Sequence, residues 1–211
     1  MDRQQPRFSE PAGCVEPLEP RVFLSAVTKA SPKASPTFKV FRTANGVAPA
    51  ATASPTGLTP ANLISAYGID HISFGGIVGD GTGQTIAIVD AYDAPTIVAD
   101  LAVFDQTFNL PAPPSLTIVG QTGTSTLPGT DPAGKGKSWA VETSLDVQWA
   151  HAMAPNASIL LVEANSDLFS DLLAAVDTAR SYAGVCVVSM SWAAPESAYQ
   201  PSYDLHFATP S

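Results

Sequence analysis

The chain of 211 residues has room for one ordinary domain and a tail, and its content of 45% hydrophobic and 14% charged residues lets most of it bury a core. Residues 57–211 hold 15 acidic and three basic residues, a balance that argues against nucleic-acid binding because such a surface repels phosphate backbones. No stretch of about 18 apolar residues occurs, so no membrane span is predicted.

Residues 1–56 are predicted to form a disordered tail, since segments such as 29–36 and 48–55 are rich in Pro, Ser and Ala and lack hydrophobic periodicity. Within the tail, Leu18–Ser25 resembles a short Leu-Glu-Pro-Arg segment found at the N-termini of large exported bacterial proteins. The resemblance implies an extracellular or cell-surface location. The apolar run Val22–Leu24 is too short for a conventional signal peptide.

An ordered domain is predicted for residues 57–211. It opens with a short helix in which Thr59 is the N-cap, Pro60 takes the first helical position and Gly68 ends the helix. Apolar runs and helical segments then alternate, with strands at 86–89, 116–119, 159–162 and 185–190 and helices at 96–108, 138–153 and 168–182. Continuous apolar strands with helices between them predict an α/β fold whose parallel sheet is covered on both faces.

The most informative pair of residues is Glu142 and Asp146. Because they are four residues apart on a predicted helix, they share a face, with Cβ atoms about 5–6 Å apart. A solvated acidic stripe is the alternative interpretation for such a spacing. Two like charges on that face would destabilise an exposed helix. The surroundings of the pair therefore decide between the two interpretations.

These surroundings favour burial. A step of roughly 100° per residue places Trp139 and Trp149 on the arc of the two carboxylates, and the opposite face is also apolar. No lysine or arginine stands between residues 138 and 154. Two carboxylates in an apolar setting persist by sharing a proton, which raises one apparent pKa. Perturbed acids of this kind suit general acid–base chemistry, so the pair is predicted to be functional.

Four stretches of residues 57–211 resemble, in consistent order, the catalytic domain of the sedolisins, which are serine-carboxyl peptidases. The pattern W-x-x-E-x-x-L-D-x-x-W at 139–149, followed by Ala-Pro-Asn-Ala at 154–157, is similar to the catalytic helix of that family. The other three stretches are similar to its opening helix, its first strand and its substrate-lining strand, and they lie at 59–69, 83–89 and 187–196.

The resemblance implies a subtilisin-like, doubly wound parallel sheet and a Ser-Glu-Asp triad. In that triad Glu142 would take the proton of the serine nucleophile, and Asp146 would orient Glu142 and share a proton with it. A carboxylate base stays competent in acid, where an imidazole would be protonated. Ser191 and Trp192 would line the strand edge that pairs with a peptide or protein substrate; ordinary strand residues are the alternative. No cofactor is implied for this segment, because the family's calcium site lies near its C-terminus.

The chain also departs from the family. The family's serine lies in a G-T-S-x-x-x-P segment and its oxyanion-hole Asp in G-D-S-G, and both come later in the family order than the residues matched here. Ala193 stands where the family has Gly after the tryptophan. We therefore expect an incomplete sedolisin-type serine endopeptidase domain that does not hydrolyse peptides by itself. The alternative is a non-catalytic cell-surface or interaction module derived from a peptidase fold.

The remaining polar residues receive structural interpretations. Asp90 and Asp93 are expected to be turn or N-cap acids, with substrate contacts as the alternative. The three scattered histidines show no metal-ligand spacing. Cys186 lies in an apolar run, where we expect a buried free thiol; a disulfide partner beyond residue 211 is the alternative. Cys14 lies in the tail.

Overall fold

The computed structural model describes residues 31–36, 57–133, 139–195 and 200–209. At its centre is a four-stranded parallel sheet with helices on both faces, which confirms the predicted α/β class. The strands are β1 (Ser35–Pro36), β2 (Ser73–Phe74), β3 (Ile77–Val78), β4 (Thr85–Ala91), β5 (Leu116–Gly120), β6 (Ser158–Ala164), β7 (Val185–Ser189) and β8 (Trp192–Ala193). The helices are α1 (Pro60–Tyr67), α2 (Ile97–Phe108), α3 (Trp139–Met153), α4 (Phe169–Ser181) and α5 (Gln200–Tyr203).

The central sheet has the order β5-β6-β4-β7, so β4 and β6 have a neighbour on each side. Their continuous apolar sequences fit strands that are buried on both faces. Along their whole length the two strands pair in register, and Asp90 lies beside Glu163 where both strands approach their carboxyl ends. Carboxyl ends of parallel strands are where open α/β sheets bind ligands.

Successive side chains of β4 point to opposite faces of the sheet and belong to two different core clusters. Val89 belongs to the cluster that packs under α4, together with Leu172 and Val176. Ile88 belongs to the cluster under α2 and α3, together with Val147. Because successive strand residues point to opposite faces, Asp90 points to the same side as Ile88, which is the side of α3. The fold thus directs a carboxylate of β4 towards the predicted catalytic helix.

The opening helix begins as the sequence predicts. The Thr59 hydroxyl accepts a hydrogen bond from the Asn62 backbone, the Asn62 side chain bonds back to the Thr59 backbone, and Gly68 ends the helix in the left-handed conformation. Reciprocal bonds of this kind satisfy donors that the first helical turn leaves without partners.

Six residues of the predicted disordered tail are ordered against the domain. Residues 31–36 form backbone bonds with the segment before α4, and β1 pairs antiparallel with β8. Ala34 is only 3% exposed and belongs to the core. The prediction of a structureless tail is therefore wrong for these six residues, because backbone pairing and one small buried side chain leave no periodic signal. Residues 1–30 and 37–56, with Cys14 and the Leu18–Ser25 segment, lie outside the described residues.

Cys186 is exposed, and its thiol donates to the Thr85 carbonyl oxygen at 3.2 Å. The expectation of a buried thiol was wrong because β7 forms an edge of the described sheet, where Val187 is also 50% exposed. In the part of the chain that the structure describes, no helix has the length and apolar character needed to cross a membrane.

Gly120, at the end of β5, offers a stability test. A Cβ at this position would clash with the carbonyl oxygen of Thr126, whereas a Cβ at Gly129 meets nothing within 4 Å. We expect Gly120→Ala to lower the free energy of unfolding by about 1–3 kcal/mol through overpacking, with Gly129→Ala much nearer to wild type. Urea denaturation checks this, and equal effects of the two variants would contradict the close packing of the loop on β5.

Candidate functional site

The predicted catalytic pair lies on α3, which packs against α2 and against the sheet at β4. Glu142 is 1% exposed, and Asp146, one turn later, is partly exposed with its Oδ2 atom buried. Burial raises the pKa of Asp146. The alternative of a solvated acidic stripe does not fit these positions, because the helix turns Glu142 away from water.

Asp90 joins this pair from the strand below. It is fully buried, and among the described residues neither of its oxygens has a hydrogen-bond partner. The Thr143 hydroxyl is near enough to Asp90 to lower the pKa of that acid somewhat. The same hydroxyl donates a hydrogen bond to the Trp139 carbonyl oxygen at 3.0 Å. Burial, followed by the charges of Asp146 and Glu142, raises the pKa of Asp90 well above its usual range. Asp90 is therefore a buried strand residue with a raised pKa, and the expectation of a turn or N-cap acid was wrong.

Glu163 and Asp93 form a second carboxyl pair, beside Asp90 at the same edge of the sheet. Glu163 is buried, and its Oε1 accepts a hydrogen bond from the Ala94 backbone at 3.0 Å. Burial raises the pKa of Glu163, the Ala94 N–H lowers it and the neighbouring carboxyl of Asp93 raises it, so that the net pKa is about 7. The carboxyl ends of β4 and β6 thus carry two acids with raised pKa values.

Ser191 and Trp192 approach the cluster from the end of β7. The Ser191 hydroxyl hydrogen-bonds to the Asp146 carboxylate, which lowers the pKa of that acid against the larger effect of burial. The indole Nε1 of Trp192 donates to the Val89 carbonyl oxygen at 2.9 Å, next to Asp90 in β4. Trp192 also packs edge-to-face on Phe169, with ring centroids 5.4 Å apart. The structure therefore brings Ser191 to Asp146 and anchors Trp192 over the sheet.

Basic side chains of the described residues stay away from the carboxyl cluster of Asp90, Glu142, Asp146 and Glu163. Lys33 pairs with Asp167 at 3.1 Å, and Arg180 with Asp177 at 2.8 Å. Acids that gather in a buried place lower their mutual repulsion by keeping protons. The cluster can therefore hold and transfer protons in acid.

The three histidines form their contacts with groups other than the four acids of the carboxyl cluster. His151 is buried with its Nε2 at 2.7 Å from the Pro111 carbonyl oxygen and 3.3 Å from Asp105, on the far part of α3. His206 contacts Asp177 at 2.8 Å, and His71 is exposed. In the described ranges no group of three or more His, Cys, Asp and Glu residues is placed to hold a metal ion.

Neither a family model nor a curated protein sequence matches the chain.

Sequence reasoning missed Asp90 and Glu163 as members of the cluster. A usable signal was present, because each is an acid that follows an uninterrupted apolar strand, and the two strands are parallel neighbours. Acids at the ends of adjacent parallel strands meet at one edge of the sheet.

Proposed function

We propose that the chain is part of a serine-type endopeptidase of the serine-carboxyl type, with a subtilisin-like sheet and an acidic working range. The observation that carries the proposal is the arrangement on α3: Glu142 is buried, and Asp146, one turn later, accepts a hydrogen bond from Ser191 beside the buried Asp90. The motif resemblance gives these residues their order and their roles.

In the proposed mechanism Glu142 is the general base that removes the proton from a serine hydroxyl as it attacks the peptide carbonyl. It returns that proton to the leaving amine, so that an acyl-enzyme forms and water later hydrolyses it. Asp146 orients Glu142 and shares a proton with it. The raised pKa values of Asp90 and Asp146 support this division of roles. Protons held on these two acids reduce the negative charge around Glu142, so Glu142 can ionise and act as the base.

The nucleophile has no family-type segment among the 211 residues. The nearest approach is Gly123-Thr124-Ser125 with Pro128, which is one residue shorter than G-T-S-x-x-x-P and lies in the loop after β5. We therefore propose that the 211-residue chain does not hydrolyse peptides and that the nucleophile, with the family's calcium site, belongs to residues outside it. We also propose a cell-surface or extracellular location for the protein.

The proposal is tested by reading the gene beyond codon 211 and assaying the product. We expect G-D-S-G and G-T-S-x-x-x-P segments to follow in frame, and the extended protein to cleave peptides near pH 4. A frame that continues through a folded domain without these segments, or an extended protein that lacks peptidase activity, would contradict the proposal.

A non-catalytic interaction module is the second candidate. The observation in its favour is that residues 31–36 already occupy the strand edge at Trp192–Ala193, as a bound peptide would. A peptide-binding module needs no serine nucleophile. Binding of peptides by an extended protein without any cleavage would favour this candidate over the peptidase.

A further inference from the structure

Residues 31–36 lie in a groove between two segments of the domain. On one side the Ala34 amide donates to the Asp167 carbonyl oxygen at 2.7 Å, and the Phe169 amide donates to the Pro32 carbonyl oxygen at 2.9 Å. On the other side Ser35 and Pro36 pair antiparallel with Ala193 and Trp192. These bonds involve backbone atoms, so any extended peptide could form most of them.

Three side chains of the segment meet specific partners. The Ser31 hydroxyl accepts a hydrogen bond from the Ser170 amide at 3.0 Å. Ala34 is 3% exposed and packs into the core cluster that α4 covers. The Nζ atom of Lys33 lies 3.1 Å from the Asp167 carboxylate, which also accepts a hydrogen bond from the Tyr92 hydroxyl at 3.2 Å. The groove therefore has a closed position for one small side chain and, directly before it, a fixed negative charge.

The groove leads to the carboxyl cluster. Because β1 and β8 are antiparallel and Pro36 lies opposite Trp192, the segment runs towards Ser191, whose hydroxyl bonds to Asp146. A peptide in this position would extend along the domain and reach the acids of α3 and β4 at its C-terminal end. A peptide in this groove therefore lies where a ligand of the proposed site would lie.

We propose that this groove is a binding site for an extended peptide that carries a basic residue followed by a small one, and that residues 31–36 occupy it in cis. The proposal deepens the proposed function, on which it rests for the groove's role as a substrate site, but the binding itself needs no catalysis. The backbone pairing supplies affinity for extended chains in general. The closed position at Ala34 and the carboxylate of Asp167 supply the selectivity.

The two side-chain preferences differ in strength. An exposed ion pair such as Lys33–Asp167 contributes little, so loss of the basic residue is expected to weaken binding only about threefold. A charged side chain at the buried position of Ala34 must lose its hydration and displace packed atoms, so it is expected to weaken binding at least about tenfold.

Occupation in cis is favoured by the covalent connection. Residues 37–56 join the segment to the domain, so the segment binds intramolecularly, at an effective concentration on the order of millimolar. Free peptide at micromolar concentration therefore competes poorly with the attached segment. A variant whose own segment is excluded from the groove must bind free peptide better than wild type.

The first experiment uses a fluorescein-labelled peptide, Ser-Pro-Lys-Ala-Ser-Pro, and full chains. The tetrapeptide Lys-Ala-Ser-Pro occurs at 29–32 and again at 33–36, so a slip of four residues would present Ala30 in place of Ala34. The opening variant therefore carries both Ala30→Asp and Ala34→Asp. The matched control carries Ala48→Asp and Ala50→Asp, which add the same charge to the tail outside the docked segment.

Fluorescence anisotropy is expected to show binding to the opening variant at least tenfold tighter than to wild type or the control. The peptide with Glu in place of the lysine should bind this variant about threefold more weakly. The peptide with Asp in place of the alanine between lysine and serine should bind it at least tenfold more weakly. Equal binding by wild type and the opening variant, or no preference among the three peptides, would overturn the proposal.

Amide hydrogen exchange on wild type keeps the proposal testable if the opening variant does not fold. The Ala34 amide should be protected by its bond to Asp167, and millimolar unlabelled peptide should speed its exchange. Lack of protection at Ala34 would overturn the proposal. Peptide binding without peptidase activity in an extended protein would defeat the proposed function alone, whereas activity without displaceable protection would defeat this inference alone.

Discussion

Glu142→Gln, introduced into a chain that extends through the serine segment, is expected to lower kcat for peptide cleavage by about 10³-fold. General-base catalysis contributes on the order of 10²–10⁴-fold, and an amide cannot accept the serine proton. The substitution preserves the shape of the side chain, so KM should change little. Steady-state kinetics at pH 4 measure both constants.

The matched control for this experiment is Asp70→Asn, which removes one carboxylate from an exposed position in the short turn that follows α1. Its kcat should stay within about twofold of wild type, because exposed substitutions away from the site disturb little. Near-wild-type kcat in Glu142→Gln, with the fold intact by circular dichroism, would remove Glu142 from the mechanism and with it the peptidase proposal.

The free energy of unfolding of the 211-residue chain is expected to fall between pH 4.5 and pH 7.5. Burial raises the pKa of Glu163 to about 7 and also raises the pKa values of Asp90 and Asp146, so the folded chain retains protons at pH values where the unfolded chain has released them. Stability decreases with rising pH wherever the folded state binds more protons. The stabilising effect is complete below the unfolded pKa values and is lost as the pH passes the folded ones.

Glu163 sets the clearest window, from its ordinary value of 4.5 to about 7, and contributes at most about 3 kcal/mol across it. The exposed Asp80, whose hydrogen bonds to Thr82 lower its pKa, acts in the opposite sense, but only below its ordinary value of 3.8. Thermal melts should therefore show a midpoint about 5 °C or more lower at pH 7.5 than at pH 4.5.

Two variants assign the pH dependence to the cluster. Glu163→Gln retains an acceptor for the Ala94 amide and removes the titration, so its melting midpoint should change less with pH than that of wild type. Asp70→Asn again serves as the control and should keep the wild-type slope. A wild-type midpoint that rises from pH 4.5 to pH 7.5 would show that these carboxyls are solvated in the folded chain.

The sequence predicts the central elements well because their signals are local. The runs at 86–89 and 159–162 are continuous apolar strands, and the structure extends each to Thr85–Ala91 and Ser158–Ala164. The tryptophans of α3 also indicate a buried helix from the sequence alone. These patterns are repeated along one segment, so they need no knowledge of the neighbours.

Three features were missed in the sequence because they depend on distant partners. Asp90 follows an apolar strand like many turn acids, and only its proximity to α3 makes it part of the site. Residues 31–36 have the composition of a linker, yet they pair with segments that begin more than 130 positions later in the chain. Cys186 lies in an apolar run, and its exposure follows from the edge position of β7.

The carboxyls of α3 and β4 are expected to hold protons in a buried site. Carboxyl-carbon NMR of the 211-residue chain, with aspartates labelled and assigned through Asp90→Asn and Asp146→Asn, measures this directly. We expect the Asp146 midpoint to lie above 3.8 and the Asp90 midpoint to lie well above 3.8. If both carbons titrate with midpoints at or below 3.8, the acids face water and the proposed catalytic arrangement is contradicted.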